Sequence, residues 1–444
     1  MDEPSGAQDE GLVRAIGTKA LSLSIVNMVV GGGIFVLPGL IAAQLGSAAV
    51  FAYLVCMVTV ALIFLCYAEI GSRITRSGGS YSYIEEAFGP FVAFVCLVVS
   101  VVGWSILGDA AITIAMVETL AIAFPVLDEP LVRAVFIVAL FALLVAVNIA
   151  GVKSGVRFFI FNTIAKLVPL LMLLVFGLFM MNADNLVIPA WPSLSNLGAA
   201  SLILFFAFAG AETALNCGGE IKDPARTVPR GLLLGLSGIM FLYMGLQTVA
   251  QGVLGPVLAD NTEAPLAATA TIVFGDWGAK MLVVGGVISI FAAVSGDVLN
   301  TPRVIFASAL DGNLPKVLAR VHPKYRTPYV AIIAFAVAIC IVALTGSFKS
   351  LAIVASGSVL LLYLGVSLAV IRLRQRDGSP KEGQFKLPGG YAIPLMSSLV
   401  VAWLLFQSTV DEAIALLALI GVSILFYVAR GMIRQYLAKR HGAD

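Results

Sequence analysis

The fold is indicated by two glycine-rich stretches, VVGGGIFVLPG at residues 29–39 and FFAFAGAETALNCGGE at residues 205–220. Each interrupts a long apolar run with adjacent glycines, and a helical glycine costs about 1 kcal/mol relative to alanine. Close packing against a neighbouring helix is the alternative, but packing glycines recur at every fourth residue. We therefore predict two helices that are broken at membrane depth, where unwound backbone is tolerated only if it lines a protected site.

The composition around these stretches is that of a membrane protein. Of 444 residues, 60% are hydrophobic and 12% are charged, about half the charged fraction of a soluble domain. A bilayer core needs about 20 residues per helix, so the apolar runs predict an all-α integral membrane protein with twelve transmembrane helices. These runs lie near residues 16–45, 48–72, 88–124, 132–151, 157–181, 194–220, 229–254, 279–302, 328–345, 350–371, 393–410 and 412–430.

The two broken runs are the first and the sixth, so they occupy corresponding places in two halves of five. This arrangement is typical of secondary transporters built from inverted repeats. We expect a transport core over residues 13–371, followed by two further helices. The predicted boundaries are 1–12 (tail), 16–181 and 194–371 (the two repeats), 372–392 (loop), 393–430 (helices eleven and twelve) and 431–444 (tail).

The basic residues predict the orientation. With the N-terminus inside the cell, 23 of the 27 lysines and arginines fall in inward loops and tails. Such a bias sets the orientation of a membrane protein by the positive-inside rule. We expect a multi-pass protein of the cell membrane with both termini in the cytoplasm. The acidic start, MDEPSGAQDE, predicts no cleaved signal peptide.

Several functions are excluded by what the chain lacks. A net charge of +2 and short loops exclude a nucleic-acid partner. His322 and His441 lie in polar segments, and the five cysteines show no C-x-x-C spacing, so we expect no metal, cofactor or enzyme chemistry. A channel would need a repeated ring of pore-lining groups. The two broken helices do not indicate such a ring, so they count against a channel.

Further motifs make the chain recognisable. Together with the glycine breaks, they resemble the amino acid–polyamine–organocation transporter superfamily. The resemblance implies two inverted five-helix repeats and alternating access without sodium, driven by exchange or by protons, with an amino acid or related amine bound beside the breaks. The motifs are SGGSYSYIEEAFGPFVAF at 77–94, IKDPARTVPR at 221–230, TPRVIFASALDGNLPKVLARVHPKYRTP at 301–328 and FKLPGGYAIP at 385–394.

The breaks themselves suggest how a zwitterion binds. Free amides at the start of a helix hold an anion, so the first break is expected to hold the substrate carboxylate. Carbonyls of the second break would receive the ammonium. The residues concerned are Gly31, Gly32, Gly33 and Ile34 in the first break and Phe208, Ala209 and Gly210 in the second. The resemblance adds Phe206 at the position of a gating aromatic.

Two ionisable residues at membrane depth are candidates for proton coupling or gating, because charges there are costly and usually functional. The resemblance places Lys166 where sodium-independent members carry a lysine in place of the sodium ion. It places Glu212 at a glutamate linked to protons in acid-resistance exchangers. The structural alternatives are that Lys166 caps carbonyls of the broken helix and that Glu212 accepts hydrogen bonds from loose backbone amides.

Asp109 and Asp297 are the candidates for substrate selection. By the resemblance they fall on a pocket asparagine and a pocket tryptophan. Two acidic side chains in a poorly solvated pocket favour a ligand with an extra positive charge. A pairing of Asp297 with Lys166 or Arg303, or a protonated Asp109, would instead leave a small neutral amino acid as the cargo of the same fold.

Overall fold

The structure is a computed structural model that describes residues 14–150, 152–262 and 264–441. Within these ranges the regular elements are helices, and the one extended pairing is an isolated bridge between Ile16 and Ile221. The prediction of an all-helical protein is therefore confirmed. The predicted tail at residues 1–12 lies outside the described residues.

Seventeen α-helices form the described part of the chain. They are α1 (Thr18–Val29), α2 (Gly33–Leu45), α3 (Ala49–Arg73), α4 (Ser80–Phe88), α5 (Pro90–Val98), α6 (Leu107–Ala123), α7 (Pro130–Ile149), α8 (Val152–Gly177), α9 (Leu194–Phe205), α10 (Pro224–Leu254), α11 (Pro265–Phe274), α12 (Asp276–Asn300), α13 (Pro302–Leu310), α14 (Tyr329–Thr345), α15 (Phe348–Asp377), α16 (Ala392–Leu405) and α17 (Val410–His441).

Eight stretches are long and apolar enough to cross a membrane, judged by length and composition alone, and shorter apolar helices accompany them. Each predicted apolar run overlaps one of the helices or a consecutive set of them. Three short helices, α4, α11 and α13, lie outside the runs. They span 9 or 10 residues, too few to cross a bilayer, so a search for apolar runs of membrane-spanning length does not include them.

The first break separates α1 from α2. Helix α1 ends at Val29 and α2 begins at Gly33, so the glycine triplet lies at the interruption. A Cβ on Gly33 would lie 3.1 Å from the Cβ of Ala207 in the second break. The absence of a side chain therefore lets the two interrupted segments touch each other.

The second break follows α9. A 3₁₀ turn covers Phe206–Phe208, Gly210 adopts a φ of +112°, and a second 3₁₀ segment runs over Ala211–Glu220. A Cβ on Gly210 would lie 3.0 Å from the carbonyl oxygen of Met28. Both the left-handed backbone and the close approach to α1 require glycine at this position.

A buried ion pair anchors the frame around the breaks. Arg374 on α15 donates to both carboxylate oxygens of Glu69 on α3, at 2.7 and 2.5 Å, and both side chains are buried. The amide of Leu387 also donates to Glu69 at 2.9 Å. The FKLPGG motif thus joins α3 and α15 at one end of the bundle.

We predict that Glu69→Gln destabilises the protein. The substitution leaves the buried Arg374 guanidinium without its counter-charge, and breaking such a pair costs about 3–5 kcal/mol. Thermal unfolding of detergent-purified protein measures this effect. Glu86→Gln is the matched control, because Glu86 pairs with Arg376 on the exposed surface, where such pairs contribute little. Equal midpoints for the two variants would contradict the anchoring role.

Candidate functional site

A cavity of about 60 Å³ lies between the two breaks. Its walls come from α1 and α2, the second break, α12 and the segment that leads from the π-helical turn at Val99–Ile106 into α6. The lining residues are Met28, Val29, Gly31, Gly32, Gly33, Trp104, Ser105, Gly108, Asp109, Ile112, Phe206, Ala207, Ala209, Gly210, Thr213, Ala293 and Asp297.

The start of α2 faces this cavity. The first amides of a helix have no acceptor within the helix, and at α2 the residues concerned begin with Gly33. A Cβ on Gly32 would lie 3.0 Å from Ile290 of α12. Because Gly32 has no side chain, the N-terminal end of α2 can pack closely against α12. The same end of α2 stays accessible from the cavity. The geometry suits an anionic group placed in the cavity.

The carbonyl groups at the end of α1 are held by three side chains. The Lys166 ammonium donates to the carbonyl oxygens of Asn27 at 2.6 Å and Val30 at 2.5 Å. Tyr243 donates to Val29 at 2.9 Å, and Ser289 donates to Val30 at 2.9 Å. The end of α1 is thus supplied with donors from α8, α10 and α12.

Lys166 is fully buried, and it lies behind α1 rather than on the cavity wall. Its neighbour one turn earlier, Thr163, donates to the side-chain oxygen of Asn27 at 3.0 Å. The side-chain Nδ2 of Asn27 donates to the carbonyl oxygen of Ala292 of α12 at 3.0 Å. A polar seam therefore joins α8, α1 and α12, and Lys166 is its charged member.

The second break has its own hydrogen bonds. The amide of Gly210 donates to Glu212 Oε2 at 3.1 Å, and the Tyr363 hydroxyl of α15 donates to the same oxygen. The hydroxyl of Thr213 donates to the carbonyl of Gly210 at 2.6 Å. Glu212 Oε1 is buried and has no partner among the described residues. Glu212 Oε2 thus links the unwound backbone to α15 through hydrogen bonds, whereas Oε1 accepts none from the described residues.

Asp109 and Asp297 meet across the cavity. Both are buried, and their carboxyl groups lie within hydrogen-bond reach of each other. Asp297 also accepts a hydrogen bond from the hydroxyl of Thr301. Asp109 Oδ2 is buried. The cavity therefore contains a pair of acids, and apart from their mutual contact Asp109 Oδ2 receives no hydrogen bond from the described residues.

Neither suggested basic partner pairs with Asp297. Lys166 is engaged by the carbonyls of α1, and Arg303 pairs with Glu220, with Nε and Oε1 3.2 Å apart. The partner of Glu220 comes from α13 rather than from the IKDPARTVPR loop that follows Glu220, because this short helix folds back against the end of the second break.

An aromatic pair closes one side of the cavity. The rings of Trp104 and Phe206 meet edge to face, with centroids 5.9 Å apart. A second cavity of about 10 Å³ lies beyond them, and Trp104, Ser105 and Thr213 line both spaces. Glu212 lines the second cavity.

A polar network lies past the second cavity. Arg76 contacts Glu85 at 2.5 Å and Asp311 at 3.8 Å. The Tyr81 hydroxyl donates to Asp311 at 3.1 Å and accepts from the side chain of Asn313 at 2.6 Å. These contacts join the start of α4 to the end of α13. They close the bundle at that end.

The predicted substrate-binding residues fall into two groups. Gly31, Gly32, Gly33, Asp109, Phe206, Ala209, Gly210 and Asp297 line the cavity, whereas Ile34 and Phe208 do not. The Ile34 and Phe208 side chains are fully buried, and Phe208 packs against Tyr53 and Tyr243 instead. In a helix, adjacent residues point to different sides, so a motif near the cavity does not place every side chain on its wall.

The sequence reasoning missed several lining residues, among them Ser105, Ile112 and Ala293. Helical spacing could have found them. Ser105 and Ile112 lie four before and three after Asp109, and Ala293 lies four before Asp297, so each shares a face with an acid that was already selected.

Comparison with known proteins gives the family. The amino acid permease model matches residues 16–432. This chain belongs to the amino acid permease family. The superfamily that the motifs indicated is thereby confirmed, and the permease is a multi-pass membrane protein whose relatives are transporters rather than enzymes.

Three relatives illustrate the range of cargo in their names. The permease is 32% identical to the serine/threonine exchanger SteT of Bacillus subtilis, over 87% of this chain and 88% of that protein. It is 26% identical to the methylthioribose transporter of the same bacterium, over 95% of this chain and 94% of that protein. It is 27% identical to the vacuolar cationic amino acid transporter 4 of Arabidopsis thaliana, over 80% of this chain and 62% of that protein.

We predict that Lys166→Met destabilises the permease. Methionine fills a similar volume but donates no hydrogen bond, so the buried carbonyls at the end of α1 lose a charged donor. The expected cost is about 1–3 kcal/mol. Thermal unfolding in detergent measures the loss, with the exposed Lys280→Met on α12 as the control. If Lys166→Met unfolds with the wild-type midpoint, the ammonium does not hold the break.

Proposed function

We propose that the permease is a secondary transporter of amino acids or related amines that works by alternating access. In this proposal twelve helices cross the cell membrane, the first ten form two inverted repeats, and both termini lie in the cytoplasm. The cavity between the breaks carries the proposal. It joins a helix N-terminus, which suits a carboxylate, to unwound backbone and two acids, which suit an amine.

Transport is proposed to be independent of sodium. The Lys166 ammonium already donates to the carbonyls of Asn27 and Val30. Bound Na⁺ would need such oxygens as ligands, and a second cation beside a buried ammonium is repelled. The driving force is then a proton gradient or exchange for a second solute.

The two acids of the cavity favour a cationic amino acid or a diamine. A small neutral amino acid is the alternative, and two observations favour it. The cavity of about 60 Å³ is small, and one relative is named as a serine/threonine exchanger. Competition between arginine and serine for the purified permease distinguishes the two cargoes.

Alternating access requires a barrier on each side of the cavity in turn. We assign the inner barrier to the network of Arg76, Tyr81, Glu85, Asp311 and Asn313. The 3₁₀ turn at Phe206–Phe208 and the Trp104 side chain form a thinner barrier between this network and the cavity. Glu212 lies between the two barriers and ties the second break to α15, which makes it the candidate gate.

The experiment that tests the function is counterflow in proteoliposomes. Vesicles loaded with unlabelled amino acid should accumulate the labelled one transiently, because a carrier exchanges solutes across the membrane and a channel does not. The rates should be equal in sodium and choline buffers. Equal labelled uptake by loaded and empty vesicles would contradict a carrier, and a steep dependence on sodium would contradict the assignment of Lys166.

We predict that Glu212→Gln removes most of the pH dependence of transport. The carboxylate accepts hydrogen bonds from Gly210 and Tyr363, and protonation makes it a poorer acceptor, so the break should loosen as the pH falls. Wild-type uptake of a neutral amino acid should therefore rise at low pH. The glutamine variant should stay at the high rate throughout.

Glu118→Gln is the control for this measurement, because Glu118 is an exposed acid paired with Arg133 at 3.5 Å. It should keep the wild-type profile. Survival of the full pH dependence in Glu212→Gln would assign the coupling to another group.

A further inference from the structure

The two acids of the cavity, Asp109 and Asp297, lie close enough together to share a proton. Asp109 comes from α6 and Asp297 from α12, with 6% and 4% of their surfaces exposed. Their carboxyl groups lie within hydrogen-bond reach of each other. A hydrogen bond between two carboxyl groups needs a proton on one of them, because two carboxylates offer only acceptors. The two acids can therefore make this contact only when they share one proton.

No basic side chain neutralises the pair within the described residues. The ionisable groups nearest to it on the packed elements are Lys166 of α8, Arg303 of α13 and Glu212 of the second break. Lys166 and Arg303 are engaged elsewhere, and Glu212 is a further acid. The charges of α1, α7 and α15 lie at the ends of those helices, away from the cavity. The remaining negative charge can be balanced only by a second proton or by a ligand.

The free oxygen points to a ligand. Asp297 is held by Thr301 and Ser105, so its position is fixed. Apart from the contact between the two acids, Asp109 Oδ2 receives no hydrogen bond from the described residues, although it is buried and its residue lines the cavity. An unpaired buried carboxylate oxygen costs free energy. An ammonium in the cavity would supply the missing donor and could contact both acids at once.

We propose that the Asp109–Asp297 pair binds either its shared proton or the side-chain ammonium of a cationic substrate, but not both. This inference rests on the proposed transport function. When the ammonium enters, the carboxylic acid O–H bond breaks and the proton leaves to water. The ammonium N–H groups then donate to both carboxylates, so one positive charge replaces another and no electrons move.

This exchange makes cation binding a proton-linked event at the binding site itself. A substrate with a neutral side chain offers no replacement charge, so the shared proton stays in place. Lysine binding should therefore strengthen as the pH rises, by up to about tenfold per pH unit while the pair still holds its proton. Alanine binding should not depend on this pair's protonation.

The test is calorimetric titration of the purified permease with lysine and with alanine, in two buffers of different ionisation enthalpy. The difference between buffers gives the protons released. We expect about one proton per lysine bound in the wild type and none per alanine. Asp109→Asn and Asp297→Asn should release none, and should bind lysine roughly 10- to 100-fold more weakly. Asp276→Asn, an exposed acid at the start of α12, should match the wild type.

The outcomes separate this inference from the function on which it rests. Lysine binding without proton release in the wild type overturns the proposal, and that measurement does not depend on any variant folding. Alanine binding without lysine binding overturns it too, while amino acid transport stands. If no amino acid binds at all, the proposed function fails, and the exchange at the acid pair fails with it.

Discussion

The structure depends on one constraint: a polar backbone group at membrane depth must have a partner. The chain breaks two helices there, and the breaks require substitutes for the lost helical hydrogen bonds. At α1 the donors are the Lys166 ammonium and the hydroxyls of Tyr243 and Ser289. At the second break the Glu212 carboxylate and the Tyr363 hydroxyl accept hydrogen bonds from the amide of Gly210. What is left unsatisfied, the amide end of α2, faces the cavity and is available to a substrate.

The same constraint explains why the breaks lie against each other. Gly33 and Gly210 allow the two unwound segments to approach until an added Cβ would meet backbone or side-chain atoms at 3.0–3.1 Å. One cavity then serves both breaks instead of two separate defects. Around it, buried ion pairs tie the ends of the bundle together, with Glu69 to Arg374 and Glu220 to Arg303. The breaks can therefore carry function while the frame keeps its shape.

Much of this was readable from the sequence, because glycine clusters and isolated charges within apolar runs are local signals. The position of both breaks and the all-helical class followed from them. The partners did not, because a hydrogen bond such as Lys166 to Asn27 joins residues 139 positions apart. The short helices α4, α11 and α13 were missed because they do not span a membrane.

The proposed substrate site is the cavity between the two breaks. A structure of the permease determined with saturating lysine would show whether the substrate binds there. We expect ligand density in this cavity, with the carboxylate at the amides of Gly32 and Gly33 and the side-chain ammonium between Asp109 and Asp297. Ligand density elsewhere in the protein, with this cavity empty, would show that the substrate site lies in another part of the fold.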